Sequence, residues 1–569
     1  MSRLLKIILI VVILALPLLL HPLLVVAPKQ NIEIYAGVVP HHLLASNIII
    51  KFFESLKMDV PETLIMLSVD HFHQCNSEGV DFITTNSTSF KDLQIEIELI
   101  QSLESKFLIL KDDSKLSLDH GILDILPFLK VNFPDIRFAP FIVSQSLSLE
   151  KAREFTEKIH ELSSDKTIVV ASVDFSHYLP EEIAKLHDEK SERVLLNFEE
   201  EGFSNIEVDS PQVLYIARYF SKIKEADSFT VIGEGNSNDY LEEKQPQTTS
   251  YFSVLFGKEL KETIPTESSK TFIFTGDIML DRNVDKLIEE FGYDYPFEGI
   301  SRILSGMDYV AGNLEGPILY NKRPYVTNSL NFSFNQETAK SLSSAHFNTL
   351  SLANNHSDNS GAKGLSETRQ ILKQNSIIPV GDPSYCNDEF IYKENDLLIL
   401  SFNFTYSFNR EAINTVQQTR DKYEDSFIVV LLHWGEEYIE TSSPSQKKLA
   451  HQLIDAGADL IIGTHPHVVQ EIELYHSEMR DKDSIIFYSL GNFIFDQYFS
   501  KETQEGLAVG LVQSRENLKF VLIPIDLTNS QPKLMNEKEK ANFLQNLAKR
   551  SSEEIKEQIK IGMISLIIK

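Results

Sequence analysis

TFIFTGD (271–277), MDYVAGNLE (307–315), FNTLSLANNH (347–356), FIVVLLHWG (427–435) and ADLIIGTHPH (458–467) are five apolar runs, each ending in a polar, metal-competent group. Short apolar runs bounded by turn residues read as buried strands. DLLILSFNF (396–404) and SIIFYSLGNF (484–493) extend the series. Strands alternating with amphipathic stretches argue for an α/β architecture with a mainly parallel sheet covered on both faces. In such sheets the carboxyl ends of the strands form one edge, where sites assemble. Asp277, Glu315, Asn355, His356, His433, His465 and His467 would therefore converge without being neighbours in sequence. Imidazole, carboxylate and amide oxygen together suit Mn, Fe or Zn. Asp277, Glu315, Asn355, His433, His465 and His467 exceed what one tetrahedral ion needs, so two divalent metals are expected.

Working outward, the preceding segment shows the same grammar. IEIYAGVVP (32–40), TLIMLSV (63–69), RFAPFIV (137–143), TIVVASV (167–173) and TTSYFSVLFG (248–257) read as strands, and LEKAREFTEKIHELSS (149–164) as a helix. The polar, proline-containing KELKETIPTESSK (258–270) separates the two series as a linker. The expected organisation is a hydrophobic amino-terminal segment (1–28), a first domain (29–257), the linker (258–270), a second domain (271–515), and a charged, partly helical tail (516–569). The 569 residues are too many for one core. With 53 Lys+Arg against 82 Asp+Glu the net charge is −29, which disfavours a general nucleic-acid-binding role. Cys75 and Cys386, far apart, exclude a disulfide framework and a Cys-x-x-Cys knuckle.

At the amino terminus, Arg3 and Lys6 precede an apolar stretch from Ile7 to Ala27. As a helix it would span about 31 Å, enough for a bilayer core. This predicts a single-pass anchor in the cell membrane, with a cytoplasmic amino terminus and the bulk of the chain outside. A cleaved signal peptide ending at Ala27 is the rival reading, opposed by Pro28. A buried helix is the third.

The second half resembles the calcineurin-like metallophosphoesterases and, more closely, the CapA family linked to capsule and poly-γ-glutamate synthesis. The resemblance rests on GDIMLDR (276–282), GNLE (312–315), ANNHSDNSGAKGL (353–365), HWGEEY (433–438), PSQKKLAHQLIDAGADLIIGTHPHVVQ (444–470) and SLGNFIFDQ (489–497). It implies a metallophosphatase-like α/β sandwich in which those same six residues are ligands. His356 falls at the position of the catalytic acid or oxyanion-stabilising histidine, and water activated on the metal would be the nucleophile. Asp281, Arg282, Glu436 and Asn492 belong to the same blocks and are expected to support ligands or touch substrate. Met279 stands where the phosphoesterase pattern has histidine, and Glu315 where it usually has aspartate.

The first half resembles the Memo family, including the bacterial AmmeMemoRadiSam system protein B members, whose fold is related to class III extradiol dioxygenases. The motifs are VVPHHLLA around His41 and His42, SVDHFHQC with His71 and His73, LDHGILDILPFL with Asp119 and His120, and SVDFSHY with His177. The resemblance implies a metal pocket formed by His41, His71 and His177 with the Asp119–His120 pair, holding one metal. GEGNSNDY (233–240) lies where some relatives place a cysteine, and none is present. Cys75 is a candidate soft ligand or a buried apolar residue.

The leading expectation is a metal-dependent hydrolase of the CapA type. It would act on a cell-surface polymer or its precursor, with membrane contact through the amino-terminal helix and other capsule-synthesis membrane proteins as partners. The alternatives are a non-hydrolytic, metal-containing scaffold of a polymer assembly complex, and a metal-dependent oxidoreductase seated in the first half.

Overall fold

In the first half, a run of parallel strands carries the sheet. Glu33–Val39, Thr167–Ser172, Thr63–Val69 and Arg137–Val143 pair side by side in parallel register. Antiparallel Thr248–Lys258 and Ser228–Asn236 extend one edge, and Phe82–Thr84 with Ile109–Lys111 the other. The central strands are buried along nearly their whole length, as β-branched and aromatic runs covered on both faces must be. Helices Ser46–Ser55, Leu149–Leu162 and Pro211–Ile223 supply the cover. Leu149–Leu162 buries Ala152, Phe155, Thr156 and Ile159, the spacing of one helical face. This computed structural model describes residues 32–261, 269–324, 330–384, 391–394, 396–406 and 410–567.

The second half contains two sheets. One runs Ile378–Val380, Thr349–Ser351, Tyr309–Leu314, Lys270–Ile278, Glu505–Gln513, Asn517–Asp526, Lys533–Leu534. The other runs Tyr392–Glu394, Leu397–Asn403, Phe427–His433, Leu460–Thr464, Lys482–Phe487, Ile472–Ser477. Strand alternation divides their side chains between two cores. Ile399, Val429, Leu431 and Ile462 meet Phe272, Phe274, Val509 and Phe520 between the sheets. Leu398, Leu400, Ile428 and Val430 face outward under helices Arg410–Lys422 and Pro444–Asp455. The result is a sandwich of two sheets with helices outside each.

Two expectations need correction. Residues 516–567 are partly helical as expected but are packed into the second half, not an exposed tail. Asn517–Asp526 pairs along Glu505–Gln513 on one side and Met563–Ile567 on the other. Phe543, Leu544, Leu547, Ile555, Ile559 and Ile564 join the inter-sheet core. Their apolar face is diluted by intervening Lys and Glu, so the segment reads as exposed although one stripe is buried. The single-pass membrane placement is also corrected. Among the described residues no helix is long and apolar enough to cross a membrane. The 1–28 segment on which that placement rested lies outside the described residues, as does most of the 258–270 linker and Cys386.

The halves are joined by helix Glu181–Asn197. Its Ile183, Ala184 and Leu186 enter the second-half core, whereas Val194, Leu195 and Leu196 remain in the first-half core. Gly510 makes room for it: a Cβ there would lie 2.4 Å from Leu186 Cδ1. The same helix grips residues 303–308. His187 Nε2 donates to Ile303 O (3.1 Å), Lys190 to Met307 O (2.8 Å), and Arg193 forms a two-pronged ion pair with Asp308 at 2.8 Å.

Candidate metal centres

The second-half cluster forms where the carboxyl ends of the two sheets meet. Asp277 lies near the end of Lys270–Ile278, Glu315 follows Tyr309–Leu314, and Asn355 and His356 occupy the turn after Thr349–Ser351. From the other sheet, His433 ends Phe427–His433, and His465 and His467 follow Leu460–Thr464. Gly276 allows the close approach that seats Asp277, since a Cβ there would stand 1.9 Å from Gly491 O. His465 and His467 both adopt left-handed backbone (φ 96° and 58°). Non-glycine residues hold such conformations where the surrounding fold imposes them, often at functional sites. Here the two turns bring both rings to the cluster.

All six expected ligands come together. Asp277 Oδ2 lies 3.3 Å from His467 Nδ1, and Asp277 Oδ1 lies 3.8 Å from His433 Nδ1. Glu315 Oε1 is 3.7 Å from His467 Nε2, and Asn355 Oδ1 is 2.8 Å from His433 Nε2. Asp277, Glu315 and His467 form one buried group of donor atoms within mutual reach; His465 and His467 form another with Glu437. His356 stands at the rim, its Nε2 3.8 Å from Glu315 Oε1.

The electrostatics ask for a cation. Burial, then the neighbouring imidazoles, pushes His433 well below the usual histidine range. Burial likewise lowers His465 to about 4, so these rings are neutral and free to ligate. Burial raises Glu315 well above the carboxylate range, and the Asp277 charge adds to it. For Asp277 burial works upward, but the His467 hydrogen bond and surrounding imidazoles outweigh it and hold the group low. Glu315 Oε2 and His465 Nδ1 are buried without a hydrogen-bond partner. Orphaned donors and acceptors of this kind are rare in folded proteins and point to an absent ion. The residues fit divalent metal.

The supporting residues divide. Asn492 Oδ1 accepts from His467 Nδ1 (3.0 Å) while its Nδ2 donates to Thr503 O (2.9 Å), which leaves His467 Nε2 as the ligating atom. Arg282 pairs with Asp496 and lies over the rings of both Phe332 and Phe495. Asp281 instead accepts from the backbone amides of Arg282 (2.7 Å) and Ser333 (2.8 Å), a capping role. Glu436 is exposed, and its neighbour Glu437 is the one grouped with the histidines. Sequence reading also passed over Asn313, which donates to Asp277 Oδ1 (2.8 Å) and lies 3.1 Å from His433 Nδ1. It stands within the GNLE block.

The first-half pocket gathers every residue named for it. His71 Nδ1 lies 2.9 Å from Asp119 Oδ2 and its Nε2 3.2 Å from His41 Nε2. His41, His71 and His120 form one group of mutually reachable donors. Asp119 is fixed by Ser68 (2.6 Å) and caps helix His120–Leu123. Two carboxylates went unnoticed in the sequence. Asp174 and Asp209 each stand 3.6 Å from His41 Nε2, and Asp209 Oδ1 is 3.1 Å from His177 Nε2. Asp174 sits in the SVDFSHY block, but nothing in sequence links Asp209 to it. Burial raises both carboxylates and lowers His41 and His177. Cys75 lies in the apolar core with its sulfur 3.8 Å from Ile142 O, which removes it from the ligand candidates.

The second half is thus a two-sheet α/β sandwich with an Asp, Glu, Asn and His cluster at its strand ends, a donor set that suits divalent metal. A family model described as bacterial capsule synthesis protein PGA_cap matches residues 271–497, and one described as Memo-like protein matches residues 16–215. The capsule biosynthesis protein CapA of Bacillus anthracis is 34% identical over 288 residues, covering 46% of this chain and 69% of that protein. The PGA biosynthesis protein CapA of Bacillus subtilis (strain 168) is 33% identical over 280 residues, covering 46% and 72%. A MEMO1 family protein of Pyrobaculum aerophilum, PAE0818, is 24% identical over 242 residues, covering 40% of this chain and 85% of that one. The chain belongs to the CapA family of capsule synthesis proteins, and its first half is Memo-like.

Proposed function

We propose that this capsule-synthesis-related chain is a metal-dependent hydrolase acting on a cell-surface polymer of the poly-γ-glutamate kind, or on its precursor. The carrying observation is the convergence of Asp277, Glu315, Asn355, His433, His465 and His467, with Glu315 Oε2 and His465 Nδ1 left unpartnered. Asp277, Glu315 and His467 would hold one divalent ion, and Asn355, His433 and His465 the other. Bound metals of this type supply Lewis-acid polarisation and acidify water. Asn313 orients Asp277, and Asn492 sets the tautomer of His467. His356 Nε2, at the partly open rim, is placed to hold or deliver a proton to the departing group. The Arg282–Asp496 pair, with its guanidinium over Phe332 and Phe495, borders that rim and orients what enters it.

The test is metal analysis of the purified chain together with a screen on phosphoesters and γ-glutamyl peptides. Two divalent ions and metal-dependent cleavage of one class are expected. Bound metal with no cleavage of either class would replace hydrolysis with a scaffolding role.

A further inference from the structure

We propose that Asn359 is the positioning residue for His356: it fixes a proton on Nδ1 and so makes Nε2 the atom that exchanges a proton with substrate. This rests on the hydrolase reading above, and it gives a role to a residue that lies in the ANNHSDNSGAKGL stretch but was not among the expected site residues. One donor here is unambiguous. The backbone N–H of Phe332 donates to Asn359 Oδ1 at 2.8 Å. That atom is therefore the amide oxygen, and it can only accept. His356 Nδ1 lies 3.2 Å from the same oxygen, so Nδ1 must be the donor, whichever charge the ring carries. The remaining nitrogen, Nε2, faces the metal cluster 3.8 Å from Glu315 Oε1.

The frame around this contact is rigid. Asn354 Oδ1 accepts from the backbone of His356 (3.0 Å) and of Ser357 (2.9 Å) and from the Ser357 hydroxyl (2.9 Å), which closes the turn. Arg323 donates to Phe332 O (3.0 Å) and Asn359 O (3.3 Å), tying the Phe332 and Asn359 backbones to each other. The Phe332 ring lies against the imidazole with centroids 4.4 Å apart. The partner is a neutral amide, so it orients the ring without placing a negative charge behind it. In the step this serves, the Nε2–H bond breaks as a proton passes to the leaving-group atom. The neutral imidazole left behind keeps its Nδ1 proton, and Nε2 is reprotonated from solvent.

The test uses the full chain loaded with zinc. Long-range 1H–15N spectra of 15N-histidine-labelled protein, with the His356 signal assigned by its loss in His356→Ala, should show Nδ1 protonated. Asn359→Leu should abolish that signature and lower kcat by about 10- to 100-fold with little change in KM, the pattern of a misoriented catalytic group. Asn359→Asp should restore both. A wild-type spectrum with Nδ1 unprotonated overturns the proposal, and it does so even if Asn359→Leu fails to fold. Unchanged kcat and signature in a folded Asn359→Leu also overturn it. Should no substrate be cleaved while the spectra behave as described, the hydrolase reading fails and the positioning of His356 stands.

Discussion

The two histidine-rich sites of this chain differ in how closely their imidazoles and carboxylates pair. In the first-half pocket three imidazoles meet carboxylates, His71 with Asp119, His177 with Asp209, and His41 between Asp174 and Asp209, although His41 Nδ1 keeps no partner. In the second-half cluster the partners are unequal. Glu315 keeps an unpartnered oxygen and His465 an unpartnered nitrogen; Asp277 lies 3.3 Å from His467 Nδ1, and the other neighbours of Asp277 and His433 include amide and hydroxyl groups of Asn313, Asn355 and Thr464. The first-half pocket leaves one buried ring nitrogen unpartnered, and the second-half cluster leaves a carboxylate oxygen and a ring nitrogen. Each unsatisfied buried group costs about 1–3 kcal/mol. The second half should therefore depend on metal more than the first.

The largest effect should come from removing ligands on the two sides of this contrast. His465→Ala with His467→Ala should lose most bound divalent metal and all metal-dependent hydrolysis. His41→Ala with His71→Ala should leave hydrolysis near the wild-type level. Elemental analysis and turnover on the best substrate decide this, and equal losses in both double variants would erase the distinction. Next, His356→Ala should keep its metal yet lose about 100-fold or more in turnover, because acid-base help contributes only in the transition state. Asn355→Ala should instead lose metal. Wild-type turnover in His356→Ala would sink its catalytic role.

A third test asks whether the two sites share one folding unit. Arg193 is almost fully buried and pairs in two-pronged fashion with Asp308. Asp308→Ala leaves that guanidinium with Glu199 and the Ser269 carbonyl at a buried interface, and breaking such a pair costs about 3–5 kcal/mol. Denaturant unfolding followed in each half should show both transitions moving together. A shift confined to one half would make the halves independent.

The smallest effect is a pH dependence at the same interface. Burial lowers His187 from 6.5 to about 4. Below about pH 4 the ring is protonated in both folded and unfolded chains; between 4 and 6.5 only the unfolded chain binds the proton. Stability from this group is therefore complete above pH 6.5 and falls as pH drops toward 4, by about 3 kcal/mol in all. His187→Gln, which keeps a donor for Ile303 O, should lose less stability than wild type between pH 7 and pH 4. Parallel pH curves for the two proteins would show that the interface does not exclude the charged ring.

What the sequence determined by itself was the alternating α/β order and the residues at the strand ends. An apolar run buried on both faces must stop at a polar residue, so Asp277, Glu315, His433 and the 465–467 pair announce themselves, as does His71 after Thr63–Val69. Beyond the strand ends that signal stops. The glutamates after Gly435 are indistinguishable in sequence, and only the turn chose Glu437 over Glu436. Asp209 reaches His177 and His41 from a separate loop before helix Pro211–Ile223, and Asn359 reaches His356 across a turn. The helix Glu537–Arg550 was legible but its packing was hidden, because charged residues outnumber its buried stripe, and the apolar run Asn517–Asp526 was passed over beside it. Periodicity reports which residues leave water. Which polar groups then meet depends on loop geometry and on helix Glu181–Asn197 docking across the halves, and those are decided by packing between segments distant in the chain.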